Sequence, residues 1–311
     1  MEAEQQGPGS VVVATFLLAV TIGGANFIAV RFSNRELAPF WGAGLRFGLA
    51  ALLFVGIAVA LRLRWPRGRD LVLTAVYGLM SFAISYALMY WALVRVTAGA
   101  ATVVMAMVPL VTLLLATAQG HERLALRGVA GALLAVAGIG WMTFGPGATA
   151  IPLGPLLAML LAALVIGQSI ILGKRLSGNH PAMTNAVGMS TGALVLFGIS
   201  LVAGEPWVLP REPSAVWAVL YLVTLGSVGL FVLVLLVVRR WTSSASSYMF
   251  VLFPVVTLVL AALIADEPIT TDAVVGALLV MTGVWFGALS PGARRVSAPP
   301  PAAVPASAAE A

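Results

Sequence analysis

An all-α integral membrane fold is predicted, with ten transmembrane helices arranged as two inverted five-helix repeats. Three observations predict it. The 311 residues are 61% hydrophobic and only 9% charged, whereas soluble domains carry about 25% charged residues. Nine short polar breaks divide the apolar sequence into stretches long enough to cross a bilayer, which takes about 20 residues. Residues 95–141 also align without gaps onto 240–286 at an offset of 145, with 16 of 47 positions identical.

The breaks are Arg31–Leu37, Arg62–Asp70, Val94–Thr97, Ala118–Arg123, Gly145–Pro152, Gly173–Pro181, Gly204–Pro213, Arg239–Ser244 and Asp266–Asp272. They leave spans near 11–30, 39–61, 71–92, 98–117, 125–144, 153–173, 183–203, 214–237, 245–265 and 272–290. Runs such as Leu230–Val238 do not alternate, which excludes the strands of a membrane barrel. Closed helices are the remaining way to satisfy backbone groups in lipid. The N-terminal MEAEQQGPGS has no basic region of the kind a cleaved leader carries, so the first span is expected to be permanent. The organisation follows as an N-terminal tail at 1–10, a first repeat at 11–144, a linker at 145–152, a second repeat at 153–290 and a disordered Pro/Ala-rich tail at 291–311.

Two checks bear on this map. The eight tryptophans fall near span ends or in loops, as an aromatic belt requires. With the N-terminus inside, the inner loops hold Arg62, Arg64, Arg67, Arg69, Arg123, Arg127, Lys174, Arg175, Arg239, Arg240, Arg294 and Arg295, which is 12 cations. The outer loops hold Arg31, Arg35, Arg95 and Arg211, which is 4. That asymmetry places both termini in the cytoplasm. The net charge of +6 is thus a signal of orientation, and nucleic acid is not an expected partner. The expected partners are a small-molecule substrate and the lipid bilayer of the cell membrane.

The self-match includes Arg95/Arg240, Thr97/Thr242, Pro109/Pro254, Glu122/Glu267, Gly131/Gly276 and Gly138/Gly283. Upstream, Gly23, Arg31 and Ser33 match Gly167, Arg175 and Ser177 at an offset of 144. Five spans per copy is an odd number, so the second copy enters the membrane upside down. Inverted repeats mark secondary transporters, in which two similar bundles expose one site to either side in turn.

The chain resembles the EamA-type transporters of the drug/metabolite transporter superfamily over residues 11–290. The resemblance rests on Gly24-Ala25-Asn26, Pro39 followed by Arg46, Tyr90-Trp91-Ala92-Leu93, Pro109, Glu122 and Gly131…Gly138. It rests equally on the second copy's Pro254, Glu267, Gly276 and Gly283. It implies ten helices around a central cavity, both termini in the cytoplasm, and export of amino acids, metabolites or drugs. Ser190 stands where the first copy has Arg46, so a basic site would be asymmetric.

Arg46 is the one charge well inside a predicted span. A mid-membrane arginine costs about 2.5–3.5 kcal/mol on insertion scales. It is expected to face a cavity and hold a substrate carboxylate or a structural carbonyl. The competing reading is snorkelling, since Arg46 lies about 10 Å beyond Pro39. Asn26, Gln168 and Ser169 are candidates either for the cavity or for helix-packing hydrogen bonds. Thr74, Tyr77, Ser81 and Ser85, spaced 3, 4 and 4 apart, share one helical face. Trp217, Tyr221 and Thr224 form a shorter counterpart, and both faces are read as lining a central route, with helix–helix hydrogen bonding as the competing reading.

Pro109 and Pro254 each remove one backbone bond and bend their helices, as a gate or as a static kink. Glu122 and Glu267 fall on opposite membrane faces and are read as helix–loop anchors. No carboxylate lies mid-span, and no metal or cofactor site is expected. His121 and His180 lie in loops without a nucleophile or ligand set, which argues against an intramembrane enzyme. No G-x-x-x-x-G-K-[ST] motif is present. A non-transporting scaffold is the other alternative, and it would not need inverted halves.

Overall fold

A computed structural model of the protein describes residues 10–120, 126–146, 151–176, 178–234 and 243–289. His121, Glu122, Arg239, Arg240, Ser177 and the tails expected at either end lie outside the described residues. Ten helices make up the fold: α1 (Ser10–Ser33), α2 (Pro39–Ala60), α3 (Arg69–Leu93), α4 (Ala98–Ala118), α5 (Leu126–Phe144), α6 (Leu153–Gly173), α7 (Pro181–Val202), α8 (Pro213–Val234), α9 (Ser243–Ile264) and α10 (Thr271–Val284). Eight of them are long and apolar enough to cross a membrane, and α9 and α10 contribute shorter apolar stretches.

Local chemistry sets the boundaries. Proline occupies the first turn of α2, α7 and α8, where its missing N–H costs nothing. Thr97 and Thr270 cap α4 and α10 by accepting from Ala100 and Ala273 N–H, each at 3.2 Å. Gly120 and Gly204 follow α4 and α7 with φ of 73° and 67°, the left-handed conformation that ends a helix.

Among the described residues three helices contain π-turns. Leu79–Ile84 in α3 and Thr224–Gly229 in α8 are six-residue π-segments, and Trp285–Leu289 extends α10 as another. The first two lie at the same offset of 145 as the sequence repeat, yet share no identical residue (LMSFAI against TLGSVG). Such turns are rare and concentrate at functional sites.

The loops after odd-numbered helices gather at one end of the bundle and bond to each other. Glu36, after α1, accepts the N–H groups of Arg211 and Glu212 at the start of α8, at 2.8–3.0 Å. Glu205, after α7, accepts those of Phe40 and Trp41 at the start of α2, at 3.2 and 2.8 Å. Glu267, after α9, pairs with Arg31 and also accepts Ala98 N–H at 3.2 Å. Each carboxylate satisfies N–H groups that a helix start leaves unpaired, where the macrodipole also favours an anion. This clasped end shows that crossings alternate, and five crossings per copy set the two copies in opposite senses.

Glu205 also accepts the Ser200 hydroxyl at 2.8 Å, and Trp207 stacks on Trp41 with ring centroids 4.5 Å apart. Glu205→Ala is expected to destabilise the protein by about 1–2 kcal/mol, as loss of a helix cap does. A thermal melt of the purified variant in detergent checks this, and an unchanged midpoint would refute it.

The halves meet along two glycine-lined seams. The four glycines of the sequence repeat face one another where α5 crosses α10. A Cβ on Gly131 would meet Gly283 O at 2.5 Å, and one on Gly138 would meet Gly276 O at 2.8 Å. The reverse approaches are 2.6 and 2.8 Å. Each glycine thus faces the repeat-mate of the other, as an antiparallel pseudo-twofold requires. Along the second seam α2 lies against α7, with the Phe197 ring set into Gly44 and Gly48.

Candidate functional site

Arg46 projects from α2 into the π-segment of α8. It is 2% exposed, so it does not reach the interface. Its Nε donates to Ser227 Oγ at 3.1 Å and one terminal nitrogen donates to Gly226 O at 3.1 Å. The guanidinium lies over the rings of Phe47 and Tyr86, 5.0 and 5.2 Å from their centroids. Asn26 of α1 donates to the same Gly226 carbonyl at 3.3 Å. That carbonyl has two lone pairs and so takes donors from two helices of the first copy. Residue 226 must be glycine for this approach, because a Cβ there would overlap the Asn26 side-chain oxygen. Ser227 also donates to Leu222 O at 2.8 Å, five residues back, in the spacing of the π-turn.

Among the described residues no carboxylate pairs with this cation. Among the described residues the one ion pair is Arg31 with Glu267, at the clasped end. Three buried polar atoms around Arg46 make no hydrogen bond: its second terminal nitrogen, the Tyr90 hydroxyl and the Asn26 side-chain oxygen. Tyr90 sits within electrostatic reach of the guanidinium, although no hydrogen bond of normal geometry joins them. The site therefore holds a positive charge, and the second terminal nitrogen of Arg46 and the Tyr90 hydroxyl lie within reach of each other with no other partner among the described residues. A wall of aromatic rings adjoins it: Phe47 contacts Phe82 and Tyr86, and Phe82 contacts Tyr77 and Phe231.

The other sequence candidates fall in several places. Tyr221 borders the site from α8 and donates to Ile22 O on α1 at 2.8 Å. Tyr77 and Ser81 are half-buried on α3, and the π-turn at 79–84 interrupts the 3.6-residue period on which their shared face was read. Ser85 is buried and bonds back to Ser81 O at 2.8 Å. Gln168 bonds to Gln119, just after α4, and Ser169 bonds back to Ile166 O. Ser190, the repeat-mate of Arg46, is half-buried on α7.

Thr224 and Trp217 differ from the route-lining expectation. Thr224 is exposed and bonds back to Leu220 O, and Trp217 is 70% exposed. Both sit among exposed Leu220 and Leu225, on the apolar outside of the bundle. The repeated prolines also differ. α4 is interrupted at Ala106–Met107, and Pro109 sits in the first turn of its second segment, which starts at Val108. Pro254 sits inside α9, which continues through it as one helix. One kink is therefore a break and its mate is not.

Sequence reasoning missed Phe47, Tyr86, Gly226 and Ser227. Tyr90 entered only as part of the Tyr90-Trp91-Ala92-Leu93 run that carries the family resemblance. A small-polar pair, Gly226-Ser227, in an otherwise apolar span was the one available signal for the α8 side of the site.

Sequence comparison adds the relatives. The profile of the EamA-like transporter family matches residues 10–144 and again residues 153–288. The uncharacterized inner membrane transporter YedA of Escherichia coli (strain K12) is 28% identical over 259 residues, 83% of each chain. The probable terminal-alkyne amino-acid exporter of Streptantibioticus cattleyicolor is 26% identical over 288 residues, 88% of this chain and 92% of that one. One crystal structure superimposes with a TM-score of 0.65 over 93% of this chain and 99% of the other at 19% identity, which shows a shared fold.

Proposed function

The chain belongs to the EamA-like transporter family, and on that premise we propose that it exports small carboxylate-bearing metabolites, such as amino acids or drug-like compounds, from the cell. It is a multi-pass membrane transporter, and no enzymatic role is assigned to it. Export proceeds by alternating access of the two inverted copies, with both termini cytoplasmic.

One observation carries the substrate reading. Among the described residues Arg46 is buried without a carboxylate, and its second terminal nitrogen and the Tyr90 hydroxyl have only each other within reach. A guanidinium is preorganised for carboxylates, and intramembrane charges mark substrate pathways. The unused Asn26 oxygen is an acceptor suited to a substrate ammonium group. A relative named as an amino-acid exporter supports this class of cargo.

The orientation is supported by the cation count of the loops, and alternating access by the opposed senses of the copies. Coupling through the substrate's own charge fits spans whose one mid-membrane charge is Arg46.

The test is flux into proteoliposomes loaded with a panel of amino acids and cationic dyes. Saturable exchange of a carboxylate-bearing compound above empty vesicles is expected. No flux for any compound would leave a scaffold as the better reading. Tyr90→Phe is expected to raise the half-saturation concentration about tenfold or more, the loss of one hydrogen bond to a charged group. An unchanged value would remove Tyr90 from the site.

A further inference from the structure

The loop between α2 and α3 and the first residue of α3 carry Arg62, Arg64, Arg67 and Arg69 within eight residues, and all four are exposed. This segment lies at the end of the bundle opposite the clasps. Among the described residues this end holds a single carboxylate, Asp70, and none of the four arginines makes an ion pair.

Three of the four cations at the clasped end differ, Arg211 being the exception. There Arg31 pairs with Glu267, Arg35 lies over the Phe32 ring at 4.0 Å, and Arg95 lies over Trp91 at 5.0 Å. Protein groups occupy those guanidinium groups. The four loop arginines have no such partner.

The loop is also held in place. Leu61, Arg62 and Leu63 N–H groups bond back to Ile57, Val59 and Ala58 at 2.9–3.0 Å. The Leu63 side chain packs on Ala58, Met183 and Val187 of α2 and α7. Arg62 and Gly68 hold left-handed φ values of 51° and 54°, which fold the segment back at both ends. Only residues 61–68 separate α2 from α3, so the arginines stay at the membrane surface. Between them Trp65 is exposed, as is Leu61, and an indole prefers the headgroup layer.

The neighbouring loop adds two more exposed cations, Lys174 and Arg175. Asn179 Nδ2 reaches Thr74 Oγ1 at 3.4 Å, and Gly173 lies against the Tyr77 ring, so that loop sits over the first turns of α3.

We infer that the Arg62–Arg69 loop is a docking surface for the headgroups of anionic phospholipids, with Trp65 seated among them. Exposed guanidinium groups pair with phosphate by forked hydrogen bonds, and clusters of four or more cations beside a span draw anionic lipid. Lipid held there fixes the adjoining ends of α2 and α3, the helices that carry Arg46 and Tyr90.

The test uses the full chain in nanodiscs of phosphatidylcholine, with spin-labelled phosphatidylglycerol or phosphatidylcholine as probe. Protein-immobilised label is expected to favour phosphatidylglycerol, and salt is expected to reduce the preference. Single Arg→Gln changes in the loop lower it by up to about fivefold each. The combined Arg62→Gln, Arg64→Gln, Arg67→Gln and Arg69→Gln variant abolishes it. Arg35→Gln with Arg95→Gln, at the opposite end, leaves it intact.

Should the fourfold variant fail to fold, Arg64→Gln with Arg67→Gln reads the same quantity. An unchanged preference in the loop variants overturns the inference, and so does a wild-type protein without preference. Displacement of the labelled lipid by equimolar free glycerol phosphate would identify a site for soluble phosphate and overturn it as well.

Discussion

Arg46→Ala is expected to abolish export of carboxylate-bearing substrates, by at least about 100-fold in flux, while the amount of protein in the membrane stays the same or rises. Two effects act in opposite directions. A buried guanidinium offers a charge-assisted, forked pair of hydrogen bonds to a carboxylate, each about twice as strong as a neutral bond. Losing both removes on the order of 3 kcal/mol, which is about 100-fold. The same change removes a membrane-embedded charge, which by itself eases insertion by about 2.5–3.5 kcal/mol. Asn26 still holds the Gly226 carbonyl, and Ser227 still bonds to Leu222, so the α8 π-segment keeps part of its support.

Arg46→Lys discriminates further. An ammonium keeps the charge but cannot reach Gly226 O, Ser227 Oγ and a carboxylate in one planar fork. Weak residual flux is expected from it. Full flux in Arg46→Ala would show that Arg46 holds α2 to α8 and takes no part in binding.

The second large effect is at the α5–α10 crossing. Gly138→Leu or Gly276→Leu is expected to prevent assembly of a stable bundle. A Cβ at either position meets a facing backbone carbonyl at 2.8 Å, and backbone cannot turn aside as a flexible side chain can. Overpacking a core typically costs 1–3 kcal/mol, and pushing two helix backbones apart costs at least that much (about 3 kcal/mol or more here). Membrane helices gain most from such close contact, since lipid is as apolar as their side chains. The check is monodispersity on size exclusion after detergent extraction. Gly140→Leu, on the same helix with open space at its Cβ, is the control and is expected to behave as wild type. Equal behaviour of Gly138→Leu and Gly140→Leu would show that the crossing is looser than its geometry indicates.

These glycines show how much of the fold could be read beforehand. The offset of 145 picked out Gly131, Gly138, Gly276 and Gly283 because steric exclusion at a backbone crossing leaves glycine as the residue that fits. Glu267 was read as a helix–loop anchor, and it does tie Arg31 and the start of α4. Its repeat-mate Glu122 lies outside the described residues. The paired π-segments escaped notice because they share position without sharing any residue. The site was half legible. A lone charge in an apolar span is visible in any sequence, so Arg46 stood out. Its partners Gly226 and Ser227 lie about 180 residues away and carry no charge or period to announce them. The 3, 4, 4 spacing of the α3 polar residues assumed an uninterrupted 3.6-residue period, and a π-turn at 79–84 breaks that assumption.

By itself the sequence determined that the chain is an all-helical membrane protein of ten helices in two related copies. Hydropathy, span length, helix caps and loop charge act locally and need no knowledge of neighbours. Only the tertiary structure decided which polar residues face inward. Thr224 and Tyr221 are three residues apart on one helix, yet one lies outside the bundle and the other bonds to α1. That choice depends on which helix packs alongside. Close packing between distant segments also closes Arg46 off from lipid, leaving it bonded to a carbonyl of the opposite copy.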